Sequence, residues 1–220
     1  VGSVLLPLRT QGTRPPLFCI HPAGGLAWFY GGLAPYLTDR PIYGVQDPYV
    51  VTGEAINSDA KEIARRYVDE IRRVRATGPY HLLGWSVGGV LADAVATTLQ
   101  DEGEHVAFLG VMDARPLESD EHSTETGHAA EPDGELVADI LGGWRDLFDL
   151  GADVTAATPD QVAEIVRAQL SGMGLIEDDQ VGRIMESFAA AEVVVARFRP
   201  STFVGDMLVF TATADKDDPA

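Results

Sequence analysis

The stretch 79-PYHLLGWSVGGVLADAVA-96 passes from an apolar run into a helical pattern. Tyr80 to Trp85 have the continuous apolar character of a strand buried on both faces. From Val87 the periodicity is helical, and it ends before Gly103. At the join stands Ser86, between Gly84 and Gly88. A G-x-S-x-G pattern placed between a strand and a helix makes a turn so tight that the serine backbone is strained. A side chain at either glycine would collide with the neighbouring segment. The turn lifts the hydroxyl above the sheet at a helix N-terminus, where the dipole and free N–H groups favour a developing negative charge. Ser86 is therefore a candidate nucleophile. Helix capping alone would explain one serine and one glycine, but not their paired spacing together with the features below.

Outward from this join, 15-PPLFCIHPA-23 reads as a buried strand and 40-RPIYGVQDP-48 as a second. Residues 58–78 read as a helix that Ser58 can cap, with Ile63, Ala64, Tyr67, Ile71 and Val74 on one face. Residues 106–114 form the next strand. Apolar strands alternating with amphipathic helices predict an α/β fold, with a mostly parallel sheet flanked by helices. After Pro116 the rhythm changes. Residues 118–135 hold seven acids and no Lys or Arg, the pattern of a mobile loop. Helical patterns follow at about 134–150, 159–173 and 178–197, and 206-DMLVFTATAD-215 reads as a strand again. The expected organisation is a core of residues 1–115 and 200–220, interrupted by an acidic helical insertion of residues 116–199.

The chemistry expected at the join needs three further parts. Oxyanion donors are expected from the backbone N–H of Ala23, in the 21-HPAGG-25 loop after the first buried strand, and from that of Val87. His21 is read as structuring that loop. The acid is expected at Asp113, which closes the strand after Ser86 at the carboxyl edge of the sheet; Asp215 is the competing acid. The base is the open part. The histidines are His21, His81, His105, His122 and His128, and none follows the last strand. His81 lies inside the strand leading to Ser86, and His105 precedes a strand at the opposite edge.

The composition narrows the function classes. With 45% hydrophobic and 23% charged residues this is an ordinary globular chain. A net charge of −18 argues against nucleic acid as a partner, because phosphate binding needs clustered Lys and Arg. Residues 1–115 carry 12 acids and 10 Lys or Arg, and residues 116–220 carry 22 and 6, so the excess lies after the change of rhythm. Asp93 interrupts the most apolar window, so no membrane span is expected. Cys19, the only cysteine, sits in the apolar run LFCI, which fits a structural thiol and a reducing cytoplasm. No metal ligand set is read. The opening VGSVLLPLRT lacks an initiator Met and a signal pattern, and it reads as a piece of a longer polypeptide.

In this order, LFCIHPAGG, GPYHLLGWSVGG and VMDARP resemble the thioesterase domains that end nonribosomal peptide synthetases. The resemblance covers nearly all of residues 1–115 and returns at VGDMLVFTAT. It implies an α/β-hydrolase fold with residues 116–199 as a helical lid. It also implies that Ser86 accepts a peptidyl or acyl chain from a phosphopantetheine thioester, for hydrolysis or macrocyclisation. That arm belongs to a peptidyl carrier domain in the same polypeptide, and no cofactor is expected to be bound. The acid after the sixth strand of the family supports Asp113, and the catalytic His is expected some tens of residues beyond Ala220. Stand-alone editing thioesterases and polyketide thioesterases are the alternatives within the class. A non-catalytic module that docks carriers or binds acyl chains is the alternative outside it.

Overall fold

The structure is a computed structural model and describes residues 2–114 and 178–211. Six strands form one sheet: β1 (Leu5–Arg9), β2 (Leu17–Ile20), β3 (Ile42–Val45), β4 (Tyr80–Trp85), β5 (Val106–Met112) and β6 (Met207–Phe210). The spatial order is β1-β3-β2-β4-β5-β6. β2 to β6 run parallel to one another, and β1 pairs antiparallel with β3. Among the described residues four α-helices accompany them: α1 (Pro48–Thr52), α2 (Ala60–Val74), α3 (Val87–Asp101) and α4 (Asp178–Arg197).

The burial pattern explains why these runs became these elements. β2 lies inside the sheet between β3 and β4, and all four of its residues are buried, so an unbroken apolar run is what that position demands. β1 was not foreseen from the sequence, because its run contains Pro7 and is short. A proline has no N–H for the ladder, but an edge strand tolerates it, and β1 is an edge. α2 begins one residue later than expected. Asp59, not Ser58, caps it, with its carboxylate accepting from the N–H of Lys61 (2.9 Å) and Glu62 (3.0 Å); an anion at a helix N-terminus also gains from the dipole. The helix ends at Val74 rather than near 78, and Val74 is 39% exposed.

The main core joins Phe18, Ile20, Tyr67, Ile71, Leu82, Leu91, Leu99 and Leu109 with one face of α4. That face consists of Val181, Ile184, Phe188, Ala191 and Val194, a helical spacing that buries a single stripe. The opposite face of the sheet packs Leu17, Cys19, Ile42 and Leu83 against Tyr30 of the segment at 28–33 and Ala27 just before it. Burial pushes the Cys19 thiol up, leaving it protonated and structural. At the far edge, Gln100 fastens the approach to β6, donating to the Val204 carbonyl (2.7 Å) and accepting from its N–H (3.0 Å). Among the described residues no helix is long and apolar enough to cross a membrane. The helices read at 134–150 and 159–173, the acidic stretch 118–135, His122, His128 and Asp215 lie outside the described residues.

Candidate active site

Ser86 occupies the join between β4 and α3 with φ 57° and ψ −130°, a conformation a non-glycine residue adopts only under constraint. The constraint is visible on both sides. A Cβ at Gly84 would collide with the backbone of Gly88, and one at Gly88 would lie 2.5 Å from the His21 carbonyl oxygen and 2.6 Å from that of Ile20. The turn can close only with hydrogens at these two positions. The serine N–H donates to the Met112 carbonyl (2.9 Å) and its carbonyl accepts from Gly89 (2.8 Å), so the strained residue is held from β5 and from α3.

The same bond sets the position of Asp113. It follows Met112 directly, at the carboxyl end of β5 and beside the serine turn. Its own backbone is strained (φ 44°), and its N–H donates to the Phe210 carbonyl of β6 (2.9 Å). Val87 is the first residue of α3, where an N–H has no partner within the helix. Ala23 is buried in the loop after β2. Register brings that loop alongside: Ile20 pairs with Gly84, so residues 21–25 run past the serine turn. The structure thus gathers Ser86, Val87, Asp113 and the HPAGG loop at one edge of the sheet. Asp215 has no described position.

The three described histidines are held elsewhere or otherwise. His21 is buried, with Nδ1 2.7 Å from the Pro22 carbonyl and Nε2 2.5 Å from the Tyr67 hydroxyl. Both ring nitrogens are engaged, as befits a loop-structuring residue, and burial lowers its pKa. His81 sits near the start of β4, stacked on Phe108, and its Nδ1 is buried without a hydrogen-bond partner among the described residues. Burial, then the charges of Arg40 and Arg75, pull its pKa down to about 4. His105 lies at the amino edge, where its carbonyl accepts from Tyr80. One contact had no signal in the sequence. α4 lies directly over the HPAGG loop: Phe188 packs on Gly24, and Ser187 donates to Asp47 (2.9 Å), whose N–H in turn donates to the Gly25 carbonyl (2.9 Å). No group of metal-binding side chains is found among the described residues.

Residues 15–219 match the thioesterase domain family, and the chain belongs to that family. It is 38% identical over 215 residues, 96% of its length, to a dimodular nonribosomal peptide synthase of Bacillus subtilis (strain 168). To a probable non-canonical nonribosomal peptide synthetase of Salinispora arenicola (strain CNS-205) it is 35% identical over 98% of its length. The chain spans only 9% and 3% of these curated relatives. Among solved structures, the NocB thioesterase domain in covalent complex with a fluorophosphonate nocardicin G analog aligns with a TM-score of 0.65 and 26% identity. That alignment covers 99% of this chain and 81% of that one. The α/β-hydrolase fold and the thioesterase family expected from the motifs therefore stand.

Proposed function

We propose that this domain releases a peptidyl or acyl chain from the phosphopantetheine thioester of a carrier domain in the same polypeptide. Ser86 is the nucleophile. Its Oγ attacks the thioester carbonyl while its proton passes to a histidine held by Asp113. The N–H groups of Ala23 and Val87 hold the tetrahedral oxyanion. The carbon–sulfur bond then breaks, and the thiol leaves with the proton from the histidine, giving an ester on Ser86. In the second half, water or an amine or hydroxyl of the bound chain loses a proton to the same histidine and attacks the ester. The acid or macrocycle departs and Ser86 regains its proton. His21 is not that histidine, because both of its ring nitrogens are already engaged; the reading places the base beyond Ala220. Residues 116–199 are the lid in this reading, excluding water and so favouring an internal nucleophile. The lone buried thiol of Cys19 fits a cytoplasmic setting.

The observation that carries the reading is the strained Ser86 turn, closed over two glycines that admit no side chain. The test uses the intact protein and a soluble acyl thioester of N-acetylcysteamine under single-turnover conditions. The expected result is a mass increase equal to the acyl group, mapped to Ser86 and lost in Ser86→Ala. A wild-type protein that turns over thioester with no adduct at Ser86 would refute the assignment.

A further inference from the structure

His21 does more than fill the loop. A neutral imidazole carries one donor and one acceptor, and the Pro22 carbonyl can only accept. Nδ1 must therefore hold the proton and donate to the Pro22 oxygen, at 2.7 Å. Nε2 is then the acceptor, and the Tyr67 hydroxyl donates to it at 2.5 Å. Both partners are buried, with Tyr67 1% and His21 5% exposed, so breaking either bond leaves a buried polar atom short of a partner. Burial also keeps both groups in these forms, lowering the His21 pKa and raising that of Tyr67.

The Pro22 carbonyl belongs to the same peptide plane as the Ala23 N–H. That peptide is trans, since Gly78–Pro79 is the one cis bond among the described residues. In a trans peptide the C=O and N–H point in opposite directions. Anchoring the oxygen on His21 therefore turns the Ala23 N–H away from the imidazole. Among the described residues one other bond holds this oxygen: the Gly25 N–H, at a longer 3.2 Å, closes a turn that needs Gly24 at φ 87°. With the imidazole bond gone, the plane is left to that weaker contact.

We propose that His21 is a positioning residue: fixed as its Nδ1–H tautomer by Tyr67, it sets the plane of the Pro22–Ala23 peptide and so aims the Ala23 N–H as an oxyanion donor. The proposal rests on the reading of Ala23 as a donor.

The experiment compares wild type, His21→Leu, His21→Asn, His21→Gln and Tyr67→Phe in the intact protein. It measures kcat and KM on the acyl thioester of N-acetylcysteamine and determines the crystal structure of each variant. Losing an oxyanion donor acts on kcat, so His21→Leu should lower kcat by about 10- to 100-fold, with KM changed by less than about twofold. Asparagine places its amide N–H where Nδ1 stands and should restore most of the rate; glutamine places its own near Nε2 and should not. Tyr67→Phe removes a single oxygen and keeps the ring packing, so it serves even if His21→Leu folds poorly; its expected loss in kcat is about 3- to 10-fold. The Pro22–Ala23 peptide should be turned in His21→Leu and native in His21→Asn. An unmoved peptide with unchanged kcat in His21→Leu would overturn the proposal, as would equal losses in the asparagine and glutamine variants. A turned peptide with unchanged kcat would instead remove Ala23 from the oxyanion hole and overturn the underlying reading.

Discussion

At the residue scale the site is a set of close approaches, and these make different demands on similar residues. Gly88 presses against main-chain oxygens of Ile20 and His21, which cannot move without dragging β2 and its loop. Gly88→Ala should therefore destabilise the fold by about 1–3 kcal/mol and lower kcat, because the displaced loop carries Ala23. Gly182 offers the contrast, since a Cβ there would meet nothing within 4 Å inside helix α4. Gly182→Ala should stabilise by roughly 0.5–1 kcal/mol. Urea unfolding of both variants checks the pair, and a neutral Gly88→Ala would contradict the packing account. The acid is decided in the same way. Asp113→Asn should lower kcat by about 10³-fold or more, as loss of the orienting carboxylate does in a serine triad, and Asp215→Asn should leave it near wild type. The reverse pattern in steady-state assays would move the acid to Asp215. Much of this scale was legible beforehand, because a G-x-S-x-G pattern between a strand and a helix leaves few ways to close the turn. The histidine–tyrosine bond was not, since His21 and Tyr67 are 46 residues apart and nothing in the sequence pairs them.

At the element scale, periodicity located β2 to β6 and helices α2 to α4, and it failed where another force set the boundary. β1 is held by its pairing with β3 rather than by a strong apolar pattern, and the α2 start belongs to the better anionic cap. α3 carries an element-scale cost of its own. Its central Asp93 is 8% exposed and faces a cavity of about 400 Å³ lined by Val90, Val111, Phe198 and Phe203. Burial raises its pKa from 3.8 to about 6. Between these values the folded chain keeps a proton that the unfolded chain has lost, so this group's contribution to stability is complete below about pH 4 and falls as pH rises through 6. At pH 7 the cost is at most about 3 kcal/mol. Asp93→Asn should be more stable than wild type at pH 7, with the difference vanishing near pH 4. His81 acts in the opposite sense over a similar range, because its lowered pKa makes stability rise with pH. It is common to both proteins and cancels in the comparison. Denaturant midpoints at pH 4 and pH 7 supply the test, and a variant no more stable than wild type at pH 7 would show that Asp93 has a compensating partner.

At the scale of the whole molecule, the alternation of apolar strands with helices made the parallel sheet readable, and chain order placed its carboxyl edge. What the alternation could not supply was the way α4 returns to the core. Only the three-dimensional packing shows Phe188 over Gly24 and Ser187 bonded to Asp47, joining α4 to the loop that carries Ala23. Charge is the other property of the whole. A net of −18 on 220 residues makes the compact state repel itself, and unfolding relieves that repulsion. Opposed to it are a few surface pairs, such as Arg72–Glu102 and Arg66–Glu54, each worth about 0–1 kcal/mol. Raising the salt from about 0.01 M to 1 M shortens the screening length from about 30 Å to about 3 Å and weakens both terms. Long-range repulsion is summed over every acid, whereas attraction is confined to the pairs, so repulsion should lose more. The urea midpoint of the intact protein at pH 7 should therefore rise with sodium chloride over this range. A falling midpoint would mean that the arginine pairs, rather than the acid excess, set the electrostatic balance of the fold.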